Sequence, residues 1–371
     1  MTPPLVSSPL SRLRPAFVLV RYNLGPAILS SSPTTAAVSA VAASASANET
    51  TKTTLKNLSV SLTTKSANDT LIEYPTGAYT AMRTSEHRGI MDFSCHVNRL
   101  ANSLSQIQFS VAAMDTEKVE QDKEEEGELE EQGNEQQEVA EALAQFRDAK
   151  TLKPLMTDLV REGLRDYYGQ VPEESTLGEA KVTVLCSWDS NNRSPIFIAH
   201  VEPLKAPKER RCKVMVHGSP RHHATAKDSK WVRDRSKLEA DLSKDTNEAL
   251  LLDEESQDLY EGLSSNFCIY DRKLQSLVTA PLYSVLLGTI LKMVIAVCEQ
   301  EKIPILYKFP NLKNIQDWEG AFISSTSRLV LPIETMIMPD GSEVHFKESS
   351  IIDKIRARVQ EECRKRVEQI L

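Results

Sequence analysis

Three kinds of side chain in this 371-residue chain could do chemistry together: an amine, a carboxylate and a set of anion-binding groups. The amine is Lys227, in the polar stretch Ala224-Thr-Ala-Lys-Asp-Ser-Lys-Trp-Val-Arg-Asp-Arg235, which runs on into helical spacing. A lysine amine can attack a carbonyl carbon or carry a proton. The carboxylate is Glu261, in Tyr260-Glu-Gly-Leu-Ser-Ser-Asn-Phe267, which follows the run Glu248-Ala-Leu-Leu-Leu-Asp253. Upstream, His96-Val-Asn-Arg-Leu-Ala-Asn-Ser103 carries Arg99, whose planar fork suits a phosphate or carboxylate. Downstream, Glu319-Gly-Ala-Phe-Ile-Ser-Ser-Thr-Ser-Arg-Leu-Val-Leu-Pro332 carries the hydroxyls of Ser325 and Thr326. Taken singly, each fragment has a plain reading: an exposed lysine, a turn acid, a surface arginine, a loop hydroxyl. Lys230 competes with Lys227, His222 and His223 read as surface-loop residues, and no ligand spacing points to a metal.

The elements that must position these groups follow from periodicity. Gly77–Thr84 reads as a strand, and His87-Arg-Gly-Ile as a turn into another. Cys95–Ile107 has apolar residues at helical spacing, and Leu155–Tyr168 is a further helix. Val182–Cys186 and Ile196–Val201 pair around the turn Asp189–Ser194, and Pro203–Glu209 is the linker candidate. Cys212–Val216, Ala249–Leu252 and Leu277–Thr279 read as strands, Val285–Lys302 as a buried helix and Ile351–Leu371 as an amphipathic terminal helix.

Composition narrows the function classes. A formal net charge of -8 argues against a duplex-binding protein. Six scattered cysteines without a C-x-x-C pair read as thiols in a reducing compartment. Leu286–Cys298, the longest apolar stretch, is too short and too interrupted for a membrane span. The first 48 residues hold Arg12, Arg14 and Arg21 with no acid and a Ser/Ala/Thr/Pro-rich tail. That is the composition of a plastid or mitochondrial transit peptide, and residues 1–70 are expected to be a transit peptide or disordered extension. Residues 71–204 are expected to form a smaller domain with a solvated, mobile acidic insertion over 115–138, and residues 205–371 a larger one.

The order of the fragments, strand, lysine, helix, then the glutamate segment between the two flanking motifs, resembles the class IV pyridoxal-phosphate-dependent aminotransferases. That group includes branched-chain and D-amino-acid aminotransferases and aminodeoxychorismate lyase, and the resemblance covers most of Gly77 to Ile333. It implies a two-domain α/β (α+β) fold: a smaller N-terminal α/β domain, a larger C-terminal mixed-sheet domain, and pyridoxal 5'-phosphate between them. Carried over residue by residue, Lys227 would be the Schiff-base lysine and proton carrier, and Glu261 would face the pyridine nitrogen. Arg99, Ser325, Thr326 and the helix start Gly288-Thr289-Ile290 would hold the phosphate. Tyr79 and Arg83 lie on the strand that can face substrate, although Arg83 reads equally as a cross-strand ion-pair residue.

The implied reaction is transamination between an amino acid and a keto acid. A lyase expelling pyruvate would use the same Lys227 and Glu261. A cofactor-binding or interaction protein without turnover is the reading motivated by the acidic insertion and by departures from the family pattern. Those departures are Leu263, Cys268 and the missing arginine in Leu287-Gly-Thr-Ile-Leu291. The resemblance also implies a homodimer with its sites close to the subunit interface.

Overall fold

The computed structural model describes residues 16–24, 52–55, 57–109, 125–170, 178–205, 207 and 209–371. Its first half contains β1 (Phe17–Tyr22), β2 (Lys52–Leu55), β3 (Leu58–Thr63), α1 (Ala67–Glu73), β4 (Gly77–Ser85), β5 (Gly89–Met91), α2 (Phe93–Gln106), α3 (Glu125–Arg147), α4 (Ala149–Gly169), β6 (Ala180–Asp189) and β7 (Ser194–Pro203). The second half continues with β8 (Cys212–Val216), α5 (Lys230–Asp234), α6 (Ser236–Ala240), β9 (Glu248–Asp253), β10 (Asp258–Gly262), β11 (Asn266–Asp271), β12 (Ser276–Thr279), α7 (Thr289–Gln300) and β13 (Ile305–Tyr307). It ends with β14 (Trp318–Ser325), β15 (Leu329–Ile337), β16 (Glu343–His345), α8 (Ser350–Lys365) and β17 (Val367–Gln369).

Two sheets organise these elements, as the mixed α/β expectation requires. The first is antiparallel throughout, in the order β17-β5-β4-β6-β7-β1-β3-β2. The second runs β10-β9-β8-β15-β14-β11-β12-β13, with β16 on β15, and is parallel at β9–β8, β8–β15 and β12–β13. The β6–β7 hairpin forms where the turn chemistry demands it: Asp189 Oδ1 accepts from the backbone of Asn191 and Asn192. Helices α2 and α4 cover one face of the first sheet. Val97, Leu100 and Leu104 meet Leu159, Val160 and Leu164 over Val182, Val184, Ala199 and Val201, all buried. In the second sheet, α7 and α8 bury Ile290, Val294 and Val297 with Ile352, Ile355 and Val359. No described helix is long and apolar enough to cross a membrane.

Several expectations change. The extension assigned to residues 1–70 is not one throughout, because Phe17–Tyr22 is an internal strand. It pairs β3 on one side and β7 on the other, with Val18 and Val20 fully buried. The run Phe-Val-Leu-Val is worth more in a sheet core than in a leader. Residues 115–124 of the acidic insertion lie outside the described residues. From Glu125 the chain is helical, and the later turns of α3 bury Val139, Leu143 and Phe146 against α2, α4 and β7. The helix expected over 285–302 begins only at Thr289. The terminal helix stops at Lys365, and β17 returns to pair with β5 of the first sheet.

Candidate active site

A cavity of about 300 Å³ is lined from both sheets: by Tyr79 and Thr183 of the first, and by Glu261 and Ser324 of the second. The Lys227 segment lies along its wall, held by backbone pairing. Tyr79 N–H donates to the Lys227 carbonyl at 3.0 Å, and Ser229 N–H donates to the Gly77 carbonyl at 2.8 Å. Gly77 N–H in turn donates to Ser229 Oγ at 3.0 Å. Ser103, the last residue of the α2 motif, accepts from Lys227 N–H through its hydroxyl at 3.0 Å. The amine is thus presented from a segment bolted to β4 and α2.

Lys227 Nζ lies 4.5 Å from the centroid of the Tyr79 ring. Protein atoms surround the amine even though the cavity leaves the side chain partly reachable by solvent. That burial, reinforced by Arg99, Arg235 and Arg221 against the opposing pull of Tyr79, brings its pKa down to about 8. Burial alone would raise the Tyr79 phenol, but Lys227, Arg235 and Arg221 outweigh it and bring it to about 8 as well. Lys230 is exposed at the start of α5 and lines no part of the cavity. Of the two lysines only Lys227 lines the cavity, and His222 and His223 are likewise exposed.

Glu261 sits on β10, almost completely buried. Its Oε1 accepts from Arg221 Nε at 2.8 Å, and its Oε2 from Leu286 N–H at 3.1 Å. The residues before α7, where a helix was expected, are irregular and deliver the Leu286 amide to this carboxylate. Burial raises the Glu261 pKa, and Arg221 opposes that rise. Each carboxylate oxygen has room for a second donor.

The far end of the cavity suits an anion. Arg99 is buried on α2, where Nη2 donates to Thr80 Oγ1 at 2.6 Å and to His96 Nδ1 at 3.0 Å. Burial brings its pKa down to about 10, and no described carboxylate lies within ion-pair range. Its Nε and the Ser324 Oγ are both buried without a hydrogen-bond partner. A buried cation left this way is costly unless an anion completes it. Opposite, α7 starts at Gly288 with no side-chain cap, so its first amides are open. A Cβ on Gly288 would lie 2.3 Å from Asn266 Oδ1, so a larger residue here would displace the Asn266 side chain. Thr289 and Thr326 approach with their hydroxyls 3.2 Å apart, and Ile290 and Ser325 complete this wall.

The structure therefore brings Lys227, Glu261, Arg99, Thr289, Ile290, Ser325, Thr326 and Tyr79 to one cavity. Arg83 is not brought there. It lies two strand steps beyond Ala81, toward Glu179 and Cys363. Sequence reading missed Arg221, Arg235 and Trp231. Arg221 stacks over Trp231 at 5.5 Å, and the Leu263 carbonyl accepts from Trp231 Nε1 at 2.8 Å and Arg235 Nη1 at 3.0 Å. The available signal was the clustering of these cationic and aromatic residues around Lys227. Leu263 and Cys268, noted as departures, are buried core residues. Among the described residues no cluster of His, Cys, Asp and Glu could hold a metal.

Comparison with known proteins bears on the fold and the family. A search of curated proteins gave no match. A branched-chain aminotransferase from Thermoproteus uzoniensis, solved with norvaline, superposes with a TM-score of 0.56 at 16% identity, covering 81% of this chain and 92% of its own. A hypothetical aminotransferase from Mycobacterium tuberculosis in a PLP-bound form gives 0.53 at 15% identity, covering 76% and 87%. A fold IV transaminase from Curtobacterium pusillum gives 0.52 at 15%, covering 76% and 85%. At such identities the likeness speaks for the fold. The family profile described as amino-transferase class IV matches residues 77–336, which spans β4 through β15 and every residue gathered around Lys227, and the chain belongs to that family.

Proposed function

We propose that this chain is a pyridoxal-phosphate-dependent transaminase that moves an amino group between an amino acid and a keto acid. The observation that carries the reading is one cavity holding a low-pKa amine, a buried carboxylate and an uncompensated arginine. When bound, pyridoxal phosphate supplies an aldehyde carbon and a protonated ring that accepts electrons. The chain's residues fit that group. Arg99, Ser324, Thr326 and the open amides of α7 would hold its phosphate, completing the partnerless Arg99 Nε and Ser324 Oγ. Glu261, kept in place by Arg221 and the Leu286 amide, would keep the ring nitrogen protonated. Lys227, whose pKa of about 8 leaves a useful fraction unprotonated near neutrality, would be the nucleophile and then carry the proton at the substrate α-carbon. Leu71, Tyr79, Met82 and Trp231 add apolar surface to the cavity wall.

The test is to supply the full chain with pyridoxal phosphate, record its visible spectrum and reduce it with borohydride. Mass mapping should place the reduced cofactor on Lys227, and amino acids should bleach the band in the unreduced protein. A folded protein that takes up no cofactor in excess would sink this reading. Release of pyruvate with no keto acid acceptor would instead mark the lyase alternative. Two further proposals come from the sequence. The first is a homodimer, to be tested by sedimentation. The second is delivery to a plastid or mitochondrion, to be tested with a fluorescent fusion. Any processing would have to leave Phe17–Tyr22 in place, because that strand is internal to the first sheet.

A further inference from the structure

We propose that Arg235 receives the substrate carboxylate, exchanging its own counter-ion Glu239 for the carboxylate that every amino acid or keto acid carries. The inference rests on the transaminase reading and names the residue that grips the substrate. Six cations line the cavity: Arg99, Lys181, Arg221, Lys227, Arg235 and Arg328. Arg99 and Lys227 serve the cofactor. Each of the other four stands within ion-pair distance of a carboxylate. Lys181 meets Glu202 at 2.5 Å, Arg221 meets Glu261 at 2.8 Å, Arg328 meets Glu248 at 2.7 Å and Arg235 meets Glu239 at 2.9 Å. A substrate carboxylate is best met by the cation among these whose present partner leaves most easily.

Three of the four partners are locked in place. Glu202 also accepts from Ala67 N–H at 3.1 Å, and Glu261 from Leu286 N–H at 3.1 Å. Glu248 also accepts from the hydroxyls of Ser264 at 2.8 Å and Ser265 at 3.0 Å. Their side chains are 9%, 5% and 3% exposed. The Glu239 side chain is 35% exposed, and among the described residues no second donor holds it. Even its approach to Arg235 is misaligned, because Arg235 Nε is buried without a hydrogen-bond partner. An ion pair that water reaches in this way contributes little. Arg235 itself is fixed at the junction of α5 and α6. Its side chain is only 7% exposed, and Nη1 donates to the Leu263 carbonyl at 3.0 Å. Its backbone N–H donates to the Trp231 carbonyl at 3.0 Å, and its own carbonyl accepts from Glu239 N–H at 2.9 Å. A rigid guanidinium with a loose counter-ion on the cavity wall is preorganised for a carboxylate, whose two oxygens match its planar fork.

The test uses the full chain loaded with pyridoxal phosphate, the loading read from its visible band, and butyrate as an unreactive carboxylate titrated by calorimetry. Arg235→Met should weaken butyrate binding at least about tenfold, the loss of one charge-assisted contact, with the visible band unchanged. Glu239→Gln should act in the opposite direction and tighten butyrate binding severalfold, because the competitor for the guanidinium is gone. A pair with a merely structural role would make that second substitution neutral or harmful. If Arg235→Met does not fold by circular dichroism, Glu239→Gln carries the test alone. Butyrate binding that is absent from the parent, unchanged in Arg235→Met, or not tightened in Glu239→Gln would overturn the proposal. A folded protein that shows no visible band fails the transaminase reading and this proposal with it, whereas a loaded protein indifferent to both substitutions fails this proposal alone.

Discussion

Replacing Lys227 by methionine should make the cofactor-free protein more stable near neutral pH. The folded amine titrates at about 8 and not at its ordinary 10.5. That drop of about 2.5 (10.5 less 8) amounts to roughly 3 kcal/mol for keeping the buried amine charged, at about 1.4 kcal/mol per pKa unit. The sign follows from proton counting. Between about pH 8 and 10.5 the unfolded chain still binds the lysine proton while the folded chain has released it, so stability rises with pH across that window. The penalty is complete below about 8, and Lys227→Met removes it. Guanidinium denaturation of both proteins should therefore show a stability gap of up to ~3 kcal/mol at neutral pH, shrinking toward zero as the pH climbs to about 10.5. A variant no more stable than the parent at neutral pH, or a gap indifferent to pH, would refute the claim that this amine is buried among cations.

Three other outcomes are expected. Arg99→Met should raise the dissociation constant for pyridoxal phosphate by roughly 10- to 100-fold, the loss of one charge-assisted contact of about 1.5–3 kcal/mol, measured by fluorescence titration. Glu261→Ala breaks a buried pair and strands Arg221, so unfolding should cost less by about 3 kcal/mol. In that variant turnover should fall at least tenfold, with cofactor still trapped on Lys227 by borohydride. Removing residues 1–22 unpairs β7 and β3 and should lower the melting temperature by several degrees or prevent soluble expression.

Sequence by itself determined the chemistry and the local elements that carry it. The run His96-Val-Asn-Arg-Leu-Ala-Asn-Ser103 has helical apolar spacing, and α2 is a helix presenting Arg99 inward. Alternation and turn residues marked β4, β6 and β7, because strand period and an Asx turn are local signals. The order of lysine and glutamate segments identified the family before any contact was visible. What the tertiary structure alone decided is everything that depends on partners distant in sequence. Phe17–Tyr22 has the same composition in a leader as in a strand, and only its pairing with Leu58–Thr63 and Ser194–Pro203 makes it the latter. The resemblance favoured Lys227 over Lys230, and the bridge between Ala78 and Asp228 holds the first of them along the cavity wall. Tyr79 and Arg83 share a strand face, yet at roughly 3.3 Å per residue the second lies about 13 Å further along and beyond the cavity's reach. Arg221 and Arg235 carry no motif of their own. Their roles come from folding against Glu261 and Tyr79, where burial strengthens every charge interaction that water would otherwise screen.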